Sequence, residues 1–485
     1  MRQAVLLALR WTALGRIGAQ FLSLLATLVV VRLLAPAEFG LFALAMMPVQ
    51  MLTALVIVAP TSLAIQRDDR DGSGLAAANG LLLLLAAAGT LLLVAALAAL
   101  AWAQDQTRLL GIGAVLIVGV FWPSALAAIW QAGFERRLVF RAVALGELAA
   151  GLCAAATTLA LAQAGAGVWA LALGAATGPV LRCLLLAAAG GAVAPRFPRP
   201  WLRRADAAYG GHVALGTLAT QVFEALETLL LARALGMPAL GAWRTCRELV
   251  NVPLAKVMPI VNRVGFPAYA RLGDAMPALR HYALLSLGAA TALFVPVYWG
   301  FAAVSPHAVP LLLGPQWDAA IPVAMLLGAA MPMRLLQYCL ILPHQGLGHA
   351  ALVTRATALI GASGLAGLAA GLGFGLVGAA AGMALGSTAG TLFAVDRALR
   401  PLGLSWRDIA ARCGASVGAG LAMAASVTAA RAALPPELGH GAALVRLVPL
   451  GAAVHALAFL LLDRGHTLTP LLRLLRGAIR AERRA

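Results

Sequence analysis

The sequence predicts an all-α integral membrane protein, with about fourteen transmembrane helices in two parallel-repeat lobes around a central cavity. Three observations predict it. Hydrophobic residues make up 62% of the 485 residues and charged ones only 11%, against about 25% charged in a soluble protein. Apolar runs of about 20 residues, enough for a helix to cross a bilayer, recur along the whole chain. A 201-residue offset lays part of the first half on part of the second. Period-two alternation is absent, which excludes a β-barrel.

In chain order the spans are expected at 11–34, 39–65, 75–102, 109–132, 142–163 and 166–190, then 209–234, 240–262, 281–304, 319–342, 350–372, 374–396, 413–431 and 446–462. With the N-terminus in the cytoplasm, twenty-four basic residues fall in inside segments and five in outside ones (Arg32, Arg108, Arg233, Arg431, Arg446). That bias is the positive-inside pattern, and it puts both termini in the cytoplasm. Losing one span would invert everything after it and spoil the bias. The first run is too long for a signal peptide and lacks its cleavage pattern.

The expected organisation is an N-lobe of six helices (1–190), a Pro- and Arg-rich cytoplasmic linker (191–208), a C-lobe of six helices (209–396), two additional helices (397–462) and a basic cytoplasmic tail (463–485). The tail "LLRLLRGAIRAERRA" reads as an amphipathic helix on anionic lipid.

At the 201-residue offset, ten identities occur in 28 positions without a gap, among them Gly15/Gly216, Gln20/Gln221, Thr27/Thr228, Arg32/Arg233 and Gly40/Gly241. Polar matches of this kind exceed a shared Leu/Ala bias, and internal repeats characterise secondary transporter folds. Both repeats start inside, so an axis along the membrane normal relates them. "RLLAPAEFG" and "RALGMPALG" are the matching outer turns, where Pro and Gly end one helix and begin the next. Arg32 and Arg233 are outer-gate candidates, placed to snorkel to headgroups or to meet a phosphate or sugar leaving there.

At about 100° per residue, Thr12, Arg16, Gln20, Ser23 and Thr27 form one polar stripe. Thr217, Thr220, Gln221, Glu224, Glu227 and Thr228 form a second, and Arg244, Arg247, Glu248 and Asn251 a third. Lys256 points away from the third. A charge at the centre of a lone membrane helix costs about 2.5–3.5 kcal/mol. These groups therefore either pair with one another or face a wet cavity. The cavity set is Arg16, Gln20, Gln221, Glu224, Glu227, Arg244, Arg247, Glu248 and Asn251, with Arg334 and Arg355 as lesser members. Guanidinium pairs suit phosphate oxygens, and the glutamates suit arginines, sugar hydroxyls or a coupling proton.

Other chemistry fails on context. The net charge of +18 suggests nucleic acid, but cytoplasmic loops account for it, so no nucleic acid partner is expected. "GFGLVG" at 373–378 sits in a membrane hairpin, "GASVG" at 414–418 in an apolar helix, and "DRD" at 69–71 in a short loop. The single lysine, Lys256, follows an alanine, so there is no ATP-binding P-loop. Five scattered cysteines form no framework. No catalytic residue, metal or cofactor is expected, and the chain is read as a transporter, not an enzyme.

The stretches "VVVRLLAPAEFGLFALA", "AIQRDD", "GFPAYARLGDAMPALRHY" and "VPLLLGPQWDAAIP" resemble signatures of the Wzx-type flippases, the polysaccharide-exporting branch of the multidrug/oligosaccharidyl-lipid/polysaccharide (MOP) flippase superfamily. The resemblance implies turnover of a polyprenyl-pyrophosphate-linked oligosaccharide across the bacterial cytoplasmic (inner) membrane, for O-antigen, capsule or exopolysaccharide assembly. It implies membrane lipids, a polysaccharide polymerase and glycosyltransferases as partners. It also implies a cationic cavity lined at Arg16, Gln20, Glu224, Arg244 and Arg247. The alternatives are a cation-coupled multidrug exporter of the same superfamily, which two arginines in one stripe argue against, and a membrane glycosyltransferase or polysaccharide polymerase, which short outer loops argue against.

Overall fold

The computed structural model describes residues 26–66, 73–136, 140–197, 204–271, 275–435 and 437–463. Among them every regular element is a helix. Residues 26–33 form α1. The first unit continues with α2 (Pro36–Gln66), α3 (Ser73–Ala103), α4 (Arg108–Leu116), α5 (Trp122–Arg136), α6 (Phe140–Gln163) and α7 (Val168–Leu186). The long α8 (Arg204–Arg271) is broken at Gly236, whose φ of 80° and ψ of 177° are non-helical. Then follow α9 (Met276–Leu313), α10 (Ile321–Gly346), α11 (Ala350–Gly371), α12 (Gly375–Leu402), α13 (Trp406–Ala432) and α14 (His440–Leu462).

Eleven stretches among the described residues are long and apolar enough to cross a membrane, so the chain is a multi-pass membrane protein. Two of the eleven hold a break. Leu218–Val257 contains Gly236, and Ala351–Leu402 turns back through Leu372–Gly375. Most of the expected first span lies outside the described residues.

Packing divides the chain into two units, Met1–Gly241 and Ala242–Ala485. In the first, α2 packs on α3 and α5, and α6 packs along α7. The chain enters α2 through a sharp turn at Leu34–Ala35. There the Glu38 carboxylate accepts the Ala35 N–H at 3.0 Å, satisfying one of the donors a helix start leaves open. This is the local task of the acid in "APAEFG". Val30 and Leu34 bury against Ala162, Ala170 and Leu171. A π-helical turn at Ile117–Phe121 joins α4 to α5. The chain after α7 is strapped onto α3: the Arg196 N–H donates to the Ala76 carbonyl at 2.9 Å, and the Asn79 amide to the Val193 carbonyl at 2.5 Å.

In the second unit α9 is central, packed on α10, α13 and α14. Two arginines of α13 fix it parallel to α9. Arg412 Nε donates to the Leu284 carbonyl at 3.1 Å, and Arg431 Nη1 to the Ala303 carbonyl at 2.9 Å. Both pairs are 128 residues apart, as an in-register parallel pair requires. The hairpin α11–α12 is a glycine seam. Gly371 faces Gly378, Gly367 faces Gly382, and Ser363 faces Gly386, each backbone against backbone. Lipid provides no hydrophobic force between helices, so such close approach supplies the attraction.

Candidate functional site

The second and third polar stripes fall on the two arms of α8, one in each unit. On the first arm Leu231 and Ala232 are buried while Leu226 and Arg233 face outward. Glu227 and Thr228, each 2% exposed, sit on the buried side, and Glu224 and Gln221 are half-buried. The Thr228 hydroxyl donates to the Glu224 carbonyl at 2.8 Å, so its own polarity is satisfied within the helix. Neither Glu224 nor Glu227 is without an interaction in the fold.

On the second arm the core face is Trp243, Cys246, Val250 and Leu254. Val250 and Leu254 pack with Phe294, Tyr298, Met331 and Leu335, and the Cys246 thiol donates to the Ala320 carbonyl at 3.2 Å. The polar face lies about 100° round the helix from that core. There Arg244, Arg247 and Asn251 are half-buried and Glu248 is exposed. Lys256 is exposed as well. Arg16 and Gln20 lie outside the described residues.

One group in the second unit escaped the sequence. The Tyr298 hydroxyl is buried in the core beside the second arm, near the Leu254 backbone, with Arg334 and Tyr338 within electrostatic reach. The only signal was a tyrosine in an otherwise apolar run, which reads as packing.

The matching turns show a closer relation than their sequences announced. A Cβ on Gly40 would stand 2.8 Å from the Met237 carbonyl carbon, and one on Gly241 would stand 2.7 Å from the Pro36 carbonyl carbon. Gly40 and Gly241 are repeat partners, and so are Pro36 and Met237, at the same 201-residue offset. Each turn therefore presses its glycine on the other turn's backbone, a reciprocal contact of the kind a two-fold axis imposes. Arg32 and Arg233, both exposed, flank it.

A family model described as "Polysaccharide biosynthesis protein" matches residues 29–322. The chain is 29% identical over 206 residues to the lipopolysaccharide biosynthesis protein WzxC of Escherichia coli (strain K12), covering 41% of each protein. It is 26% identical over 325 residues to the succinoglycan biosynthesis transport protein ExoT of Rhizobium meliloti (strain 1021), covering 65% of this chain and 64% of that one. The matches thus span less than two thirds of these curated relatives. Among solved structures, the lipid II flippase MurJ in an inward closed conformation aligns with a TM-score of 0.71 at 10% identity, over 92% of this chain and 97% of that one. An inward-facing multidrug resistance MATE family transporter of the MOP superfamily aligns with a TM-score of 0.60 at 17% identity, over 79% and 94%. At these identities the likeness is one of fold.

Proposed function

The chain belongs to the polysaccharide biosynthesis protein family, and on that premise we propose that it is a flippase. It turns a polyprenyl-pyrophosphate-linked oligosaccharide from the inner to the outer leaflet of the bacterial cytoplasmic membrane, for surface polysaccharide assembly. The observation that carries this reading is the polar face of the second α8 arm, with two half-buried guanidinium groups in a membrane-crossing stretch. The headgroup is large, polar and anionic, and its pyrophosphate oxygens match guanidinium donors. Arg244 and Arg247 hold the pyrophosphate. Arg16, Gln20, Gln221, Asn251 and Glu248 line the cavity and meet sugar hydroxyls or phosphate, and Glu224 and Glu227 hold arginines or carry a coupling proton. The lipid tail stays among the helices.

Two lobes, 1–190 and 209–396, joined by the linker 191–208, alternate access to the cavity, with both termini in the cytoplasm and the two glycine turns on the outer side. Arg32 and Arg233 meet the departing headgroup. The pathway's polymerase and glycosyltransferases take the product and supply the substrate. No cofactor is needed, because nothing covalent changes.

The test is leaflet turnover of a fluorescent polyprenyl-pyrophosphate oligosaccharide in proteoliposomes, read by quenching. The intact protein turns the headgroup over, and Arg244→Ala/Arg247→Ala, folded by gel filtration, loses at least tenfold. Unchanged turnover in the variant makes those arginines structural. No turnover by the intact protein, across several glycans, removes the flippase reading and favours the drug-exporter one.

A further inference from the structure

In the second unit α12 ends at Leu402 and α13 begins at Trp406, and the corner between them is rigid and basic. Gly403 takes the left-handed conformation, with φ of 60°. The Arg280 side chain lies over it and donates to the Leu402 carbonyl. Ser405 and Asp408 form a reciprocal capping box that starts α13. The Trp406 indole N–H donates to Asp396 Oδ1 at 3.0 Å, tying the start of α13 back to α12. Arg397 stands over the Phe393 ring at 4.2 Å, and Arg400 reaches Asp396 at 3.3 Å. Around the corner Arg280, Arg397, Arg400 and Arg407 are all exposed, against two aspartates, so a net positive charge remains.

The surface above it is apolar and continuous. Leu385 (72% exposed), Ala389, Leu392 and Phe393 (50% exposed) succeed one another at helical spacing and lead directly to Arg397 and Arg400. Behind this stripe Ala394, Val395, Ala398 and Leu399 are buried, so the stripe is the outward face of α12. From Leu385 to Arg400 the helix rises about 22 Å. That is about the depth of one leaflet with its headgroup layer, half of the 40–45 Å bilayer.

We propose that this face is a binding site for one anionic phospholipid. An acyl chain lies along Leu385, Leu392 and Phe393. The phosphate sits between Arg397 and Arg400, with Arg407 beside it. Charge complementarity selects the headgroup, because a zwitterionic lipid returns a positive group to a corner already positive. The stacked Arg397 and the Trp406–Asp396–Arg400 chain hold the donors in place before the lipid arrives, which lowers the ordering cost of binding. This site is independent of the flippase reading.

The experiment uses the full chain purified in detergent and titrated with phosphatidylglycerol or phosphatidylcholine, with retained lipid counted by native mass spectrometry. One basic residue at an anionic surface is worth about fivefold in affinity. Arg397→Gln/Arg400→Gln/Arg407→Gln therefore binds phosphatidylglycerol about a hundredfold more weakly. A control triple at Arg108, Arg196 and Arg446 binds it as the parent does. If the corner triple does not fold, single Arg400→Gln is read instead, with a loss of about fivefold. Parent-like affinity in the corner variants overturns the proposal, as does equal retention of phosphatidylcholine. Displacement of phosphatidylglycerol by an equimolar polyprenyl phosphate overturns it too, since the corner would then serve the substrate.

Discussion

Replacing Gly40 or Gly241 with valine tests the reciprocal contact between the two turns. The added Cβ would lie 2.8 Å from the Met237 carbonyl carbon or 2.7 Å from that of Pro36, where ordinary contact begins at 3.4 Å. Both obstacles are backbone, which cannot rotate away, so the turns must separate by at least about 0.6 Å for Gly40 and 0.7 Å for Gly241; overpacking of this kind costs about 1–3 kcal/mol. If the turns part as units, that cost shifts the equilibrium between joined and parted turns by about 5- to 150-fold. The two substitutions relieve one another, because a gap opened by the first already accommodates the second. The double variant therefore costs about as much as one single, leaving a coupling of about 1–3 kcal/mol of opposite sign to the singles. The assay is a pulsed electron-paramagnetic distance between spin labels at positions 32 and 233, with the native cysteines replaced. Each single variant lengthens and broadens the distance, and the double variant matches the singles. Distances unchanged from the parent, or shifts that simply add, would refute the reciprocal contact.

Two further predictions concern the frame around the site. Gly382→Leu forces the backbone of α12 away from Gly367 and lowers stability by about 1–3 kcal/mol, read as a fall in thermal midpoint, whereas Leu385→Ala on the lipid-facing side of the same helix changes it little. Asn79→Ala removes the donor to the Val193 carbonyl and costs about 1 kcal/mol. Because the strap then hangs on the Arg196–Ala76 bond, limited proteolysis between residues 191 and 203 accelerates; an unchanged cleavage rate would mean the strap is held elsewhere.

Much of the fold was legible because the bilayer makes local rules. A helix that crosses lipid must be apolar along its length and satisfy its own backbone, so runs of apolar residues mark the helices without reference to any partner. The polar repeat from Ala13 to Gly40 was visible for a related reason: Gln, Thr, Arg and Gly are rare enough in such runs that their coincidence is informative. On the second α8 arm periodicity grouped Arg244, Arg247, Glu248 and Asn251 on one stripe, while the packing that buries Trp243 and Val250 beside it shows only in the fold. Other features depend on residues distant in sequence. The repeat marked Gly40 as a turn glycine, but the backbone it presses on appears only when Met237 is set against it. Glu227 carries the same side chain as Glu248, yet one is enclosed and the other exposed, because neighbouring helices and not the helix itself decide which face is covered. Arg280 and Arg412 read as inside charges, whereas the fold spends them on the carbonyls of Leu402 and Leu284. The sequence by itself determined the class, the helices and the repeat, since hydrophobic length and period are properties of a single segment. Only the tertiary structure decided which backbone approaches which and which charge is satisfied, because those depend on the packing of segments far apart in the chain.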